Sequence, residues 1–442
     1  GEAQRCAGDP AYRGTLLDAG RLADEAGDVR CAAQAALANH RGLFSQIGAV
    51  DRERVAALEA ALQGLPDGDS PLRARLLASL ATELHFASAT RRVELAREAV
   101  AMARRLGDDA TLAEALASLW LALWDPAFIE ERSRLTTELS EVTARLGDRA
   151  LEFRAGMWEF FTASEAGDME RADAGLDVCC RVADELGQPV LRWRATFLRG
   201  HRAFAAGRFD EVERLTEETL RLAEATGQPD SLGHTNGPRG VLRILQGRPE
   251  EAPELLTAAT EQSPGTAVYR AGRAWAYAEA GCLDEAAADV ADIRGNDFAE
   301  LRRDFAWICT MGMLARACAR LGDTDGAAEL SALLLPYRDS CVVVQTAWLG
   351  PVAHDLGLLA ATLGNHAEAD AHFAAAEAME ERIGARGALI HTRLEWGRSL
   401  LRRRPADTGR AIPLLDAALD GAHELGLVAL EPRIAALRAE AG

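Results

Sequence analysis

A glycine turn recurs along this chain on a beat of 20 residues, and few folds can carry such a beat. From Leu146-Gly147-Asp148 the turn falls again at Ala166-Gly167-Asp168, Leu186-Gly187-Gln188, Ala206-Gly207-Arg208, Thr226-Gly227-Gln228 and Gln246-Gly247-Arg248. Glycine one position past a helix reaches the left-handed conformation that closes the last carbonyls without a Cβ clash. The residue after it starts the next helix. Asp28, Asp108, Asp148 and Asp168 are placed to accept bonds from orphan backbone donors, and Pro189, Pro229 and Pro249 stand near first-turn positions, where a missing donor costs nothing. Two beats make a repeat of about forty residues, the length of a helical hairpin in an array. The predicted fold is all-α: a right-handed superhelical solenoid of antiparallel helix pairs, about forty residues per pair, running as one domain over residues 1–442. A loosened joint is expected near 65–71, in Asp67-Gly68-Asp69-Ser70-Pro71.

Between the turns the pattern is helical. In 209–227, Phe209, Val212, Leu215, Thr219, Leu222 and Ala223 recur at spacings of three and four, with Glu211, Glu213, Arg214, Glu217 and Arg221 on the other side. Isolated helices of this length are marginal in water, so packing against neighbours must hold them. Alanine runs at 271–280 and 371–378 predict close approach of adjacent axes. A curved stack has a concave face, and function is expected there. An apolar face at Leu427, Val428 and Leu430 would leave the last repeat open to association with a second copy.

The formal charge of −19, with 68 acidic against 49 basic residues, disfavours direct nucleic-acid contact, which needs a basic stripe. Arg402-Arg403-Arg404 is too short to reverse this and suits a helix C-terminus. No apolar run is long enough to span a bilayer and no signal-like segment opens the chain, which predicts a cytoplasmic protein without a membrane segment. The eight cysteines include no Cys-x-x-Cys pair and read as small buried apolar residues.

No phosphate-binding loop, His-Glu-x-x-His or Gly-x-Ser-x-Gly motif is present. His366 and His372, six apart, share no helical face, so no metal and no cofactor is expected. Asp108-Asp109 reads as a helix start. Two stretches break the regular pattern. In Gly233-His234-Thr235-Asn236-Gly237-Pro238-Arg239-Gly240 the beat calls for a helix while three glycines and a proline call for a break, which makes His234, Asn236 and Arg239 candidate ligand-binding groups. Between Pro336 and Pro351 the β-branched Val342-Val343-Val344 predicts an extended buried segment that brings Gln345 and Trp348 toward the groove. Trp120, Trp158, Trp193, Trp307 and Trp348 each fall where the first helix of a pair is expected, so they are candidates to line an aromatic groove or to pack the core. Asn39, Asn236, Asn296 and Asn365 are too few for a generic peptide clamp.

Leu95-Ala96-Arg97-Glu98-Ala99, Ala103-Arg104-Arg105-Leu106-Gly107-Asp108, Gly207-Arg208-Phe209-Asp210-Glu211 and Ala422-His423-Glu424-Leu425-Gly426-Leu427 resemble the C-terminal tetratricopeptide-like region of large actinobacterial ATP-dependent regulators. In that group a signal-transduction ATPase is joined to a helical-repeat arm and often to a LuxR-type DNA-binding domain. The resemblance covers nearly the whole chain. It implies a non-catalytic repeat domain of a transcriptional or signalling regulator that senses a small-molecule inducer or binds a partner protein, with the ATPase and DNA-binding domains lying outside these residues. A protein-interaction scaffold is the alternative. A third reading, an all-α biosynthetic enzyme with an aromatic-lined cavity, would use His234 or Asp297 as acid or base.

Overall fold

The computed structural model describes residues 1–40, 43, 45–295 and 297–440; Asn296 lies outside the described residues. Among them are 23 α-helices, five short 3-10 turns and a single two-stranded hairpin. The chain is an all-α helical-repeat solenoid of antiparallel helix pairs. The six glycines of the beat have positive φ, from 60° at Gly227 to 82° at Gly247, so each ends a helix as its position requires. Asp28, Asp108 and Asp148 accept from the backbone N–H of Cys31, Thr111 and Leu151, each at 3.0 Å. Pro189 opens the helix Pro189–Ala205, Pro249 opens a 3-10 turn, and Pro229 stays in the turn before Ser231–Leu245.

The residues cluster in two compact units. The first comprises Gly1–Ala163, Glu170–Ala195 and Arg221–Ser231; the second comprises Ser164–Met169, Thr196–Leu220 and Leu232–Gly442. In the first unit, Asp109–Ala122 packs between Ala89–Leu106 and Ile129–Leu146. Arg97–Glu131, Arg104–Glu138, Arg105–Asp69 and Arg145–Asp109 form ion pairs of 2.6–3.1 Å between equivalent positions of successive repeats. These pairs are solvent-exposed and screened by water, so they set register more than they hold the stack. The segment 65–71 is the short connection between Arg52–Gly64 and Pro71–Glu83, with Ser70 capping the second helix. Late residues return to early ones: the Ile47 N–H donates to Asp230, 183 positions away, at 3.0 Å.

The second unit contains both irregular stretches, and each differs from its sequence reading. Residues 233–240 do not break. They lie inside the helix Ser231–Leu245 with Pro238 in its middle. The glycines make room for neighbours: a Cβ at Gly237 would lie 3.1 Å from the Tyr269 ring, and one at Gly240 2.7 Å from Leu256 Cγ. Close packing on this face offsets the poor propensity, and the Gln262 side chain accepts from Leu232 N–H at 2.9 Å to cap the start. The second stretch is extended as expected, but as the antiparallel hairpin Cys341–Val344 and Ala347–Pro351, with a register shift between Val342 and Val343. Trp348 therefore stands on a strand and not on a helix.

Other expectations are corrected by packing. In the alanine run at 271–280, Ala271, Ala274, Ala276 and Ala278 are buried and Ala280 is exposed, whereas in the second run Ala371, Ala374, Ala375 and Ala378 face solvent. Leu427 and Leu430 are buried and only Val428 is exposed, at 73%, so they form no open apolar face. Cys179, Cys309, Cys318 and Cys341 are buried, but Cys31 is exposed and Cys6, Cys180 and Cys282 are half-buried. Burial pushes the thiols of Cys309, Cys318 and Cys341 up to about 12.

Two glycine substitutions separate propensity from packing. Gly240→Ala should lower the unfolding free energy by about 1–2 kcal/mol, because overpacking against Leu256 exceeds the gain in helix propensity. Gly14→Ala, in the helix Tyr12–Glu25 with nothing within 4 Å of the added methyl, should instead raise it by up to about 1 kcal/mol. Urea unfolding of the two variants checks both signs.

Candidate functional site

The second unit curls far enough for its ends to meet. The His391 ring donates from Nε2 to the Leu245 carbonyl at 2.9 Å, 146 positions away, and Arg433 reaches Glu279 at 2.8 Å across 154 positions. The inner face thus forms a partly open cavity of about 310 Å³, at the small end of ligand sites. Its walls are mostly the first helices of successive pairs: Val268–Ala280, Trp307–Leu321, Val352–Thr362 and Arg386–Leu401. Each contributes one face. On Arg386–Leu401 the contributing residues are His391, Leu394, Glu395, Arg398 and Ser399, at the i, i+3, i+4, i+7, i+8 spacing of a helical stripe.

Charged groups in this wall are paired with one another. Arg320 bonds Glu279 at 2.5 Å and Glu395 at 2.7 Å. Burial opposes its charge, but the two flanking carboxylates outweigh that and hold the guanidinium protonated. Burial also works against the Glu279 carboxylate, yet Arg320 and Arg433 together pull its pKa below the ordinary value. Glu395 is pushed the other way by burial and by the Glu279 charge, with Arg320 offsetting only part. One helical turn earlier, Arg316 bonds Asp355 at 2.8 Å and the Leu349 carbonyl of the hairpin at 3.0 Å, and its guanidinium lies 4.8 Å from the Trp275 ring centre. The hairpin therefore anchors a cavity residue from behind.

His354 and His391 of the wall are neutral. The Thr392 hydroxyl bonds Glu380 at 2.8 Å and lies 2.9 Å from His354 Nδ1. Burial, with Arg316 nearby, drives the His354 pKa well below its ordinary value, and burial lowers His391 to about 4. Buried Glu380 is raised well above the usual carboxylate range. Apolar wall comes from Ile244, Leu358, Phe373, Leu394 and Leu430.

The residues singled out in the sequence lie elsewhere. Trp120 and Trp158 stack at 4.1 Å between ring centres within the first unit, and Trp120 Nε1 donates to Thr162 at 2.9 Å. Trp193 is 1% exposed. Trp307 packs edge-on to Tyr337, with the Arg303 guanidinium 3.9 Å from its ring centre. His234 is buried 5.2 Å from the Phe197 ring, and Asn236 and Arg239 are half-buried on the same helix; Ile244 is the residue of that helix on the cavity wall. Gln345 is buried, and Trp348 is buried with Nε1 donating to the Ser164 carbonyl at 3.3 Å. Asp297 is a cap, accepting from Ala299 N–H at 2.7 Å. Among the described residues no group of three or more histidine, cysteine or carboxylate side chains is placed to hold a metal, and no helix is long and apolar enough to cross a membrane.

Sequence reading favoured breaks and aromatics and so passed over Arg316, Arg320, Glu395 and Arg398. Their signal was ionisable residues on the inward stripe of helices otherwise filled with leucine and alanine.

No family model matches the sequence, and no curated protein matches it. Among solved structures, the chain is similar to one in the APC/C hetero-tetramer Cut9-Hcn1, at 15% identity over 99% of this chain and 84% of that one, with a TM-score of 0.48. It is also similar to yeast Tom70, at 12% identity over 97% and 95% with a TM-score of 0.35. A third likeness is to a circular tandem repeat protein with novel repeat topology, at 16% identity over 100% and 96% with a TM-score of 0.16.

Two variants test the electrostatics of the wall. Asp355→Ala leaves Arg316 buried without its carboxylate and should cost roughly 3–5 kcal/mol, read as a lower urea midpoint. For His391 the native pKa lies below the unfolded value, so the unfolded chain takes up the proton first and stability is lost as pH falls from about 6.5 toward 4. Between pH 7 and pH 5 the wild type should therefore lose about 2 kcal/mol more than His391→Gln, measured by urea unfolding at the two pH values.

Proposed function

We propose that this chain is a non-catalytic binding repeat domain whose ligand site is the cavity of the second unit, acting as the sensing arm of a signalling or transcriptional regulator. The observation that carries this is the 310 Å³ cavity itself, walled by the first helices of successive pairs and bridged by Arg433 on Glu279. A ligand held there touches helices from both ends of the unit, so its binding is coupled to how tightly the unit closes. This is the coupling that a sensing arm requires.

Two further facts favour binding over chemistry. The buried ionisable groups are committed to one another, Arg316 to Asp355 and Arg320 to Glu279 and Glu395. The sequence resemblance to regulator repeat arms supports the regulatory setting, and a protein partner remains the competing occupant.

Ala361 lines the cavity, and Ala361→Phe fills it. A metabolite library tested by thermal shift should yield a compound that stabilises the wild type by roughly 2.7 kcal/mol at a hundredfold excess over its Kd, and that leaves Ala361→Phe unshifted. Equal shifts in the two proteins, or no compound acting on either, would overturn the cavity as the site.

A further inference from the structure

The cavity's charge does not balance. Five arginines line it, Arg316, Arg320, Arg398, Arg402 and Arg433, against the two glutamates Glu279 and Glu395. Asp355 behind the wall answers Arg316. The remaining four guanidiniums share two carboxylates: Arg320 holds both, Arg433 leans on Glu279, and Arg398 reaches Glu395 at 3.3 Å. Arg402, one turn beyond Arg398 and exposed, has no ion pair among the described residues. His391 and His354 add no charge at pH 7, because burial lowers the pKa of each.

Two positive charges in excess stand out in a protein of net −19. Long-range attraction cannot explain them, since the surrounding charge repels anions; the device is local. In a concave wall with apolar residues beside it such an excess is felt more strongly than on an open surface. Part of the wall is apolar, with Phe373, Leu358, Leu394 and Ile244 on the same space beside the polar Thr362 and Ser399. Arginine forks match the planar oxygens of carboxylates and phosphates.

Resting on the reading of this cavity as the ligand site, we infer that it takes a small organic anion, a carboxylate or phosphate ester with an apolar body. The anionic group meets Arg398 and Arg402 and the apolar body lies along Phe373 and Leu358.

The test uses 8-anilinonaphthalene-1-sulfonate, a fluorescent aromatic anion, on the full chain. One saturable site is expected, lost in Ala361→Phe. Arg402→Gln, which breaks no ion pair, should weaken binding three- to tenfold with an unchanged unfolding midpoint, and Arg398→Gln combined with it should weaken binding at least tenfold. In competition, indole-3-acetate and phenyl phosphate should displace the probe at least tenfold better than indole-3-acetamide and phenol, and whichever of the two anions is stronger tells carboxylate from phosphate. Binding that disappears in Ala361→Phe but is indifferent to both arginines and to the competitor's charge overturns the anion assignment while leaving the cavity reading intact. Binding that survives Ala361→Phe, or no saturable binding, overturns both.

Discussion

Arg320 is the residue on which the second unit's interior depends. A single guanidinium bridges Glu279 and Glu395, which stand on helices far apart in sequence, and Glu279 in turn receives Arg433. Removing two carboxylates from water is expensive, and a buried pair repays that cost only with good geometry and further bonds. Here the network does more than stabilise. It ties together helices far apart in the chain, and a repeat array tied in this way keeps a cavity of defined size on its inner face.

The same unit shows how packing overrules local preference. A helix containing three glycines and a proline survives because Tyr269 and Leu256 occupy the room that side chains would have taken. The hairpin Cys341–Pro351 sits among helices for a similar reason. Val342 and Val343 are buried, the edge carbonyl at Leu349 is used by Arg316, and the Val344 carbonyl is bonded by His201 at 2.9 Å. Irregularity in this chain serves the wall around the cavity and does not itself form the binding surface.

This explains which features were legible in sequence and which were not. The helix pairs were readable because each boundary is set by a local device: a glycine at positive φ, an aspartate accepting a backbone N–H, a proline in the first turn. The helix Phe209–Ala225 follows its apolar period, with Val212, Leu215 and Ala223 fully buried. The cavity depended on how far the stack curls, and that is decided by contacts such as His391 with Leu245 that no local pattern records. Tryptophans pointed away from it. Trp120 and Trp158 found each other within the first unit, whereas Trp275, which no sequence pattern singles out, forms cavity wall beneath Arg316.

Binding in the cavity should tighten the closure of the second unit, and hydrogen–deuterium exchange with and without saturating 8-anilinonaphthalene-1-sulfonate tests this most directly. The prediction is slower exchange in the helices Arg386–Leu401 and Glu431–Glu440, which hold Glu395 and Arg433, with Asp109–Ala122 in the first unit unchanged. Unchanged exchange in the two closing helices, or protection confined to Asp109–Ala122 and its tryptophan cluster, would contradict it.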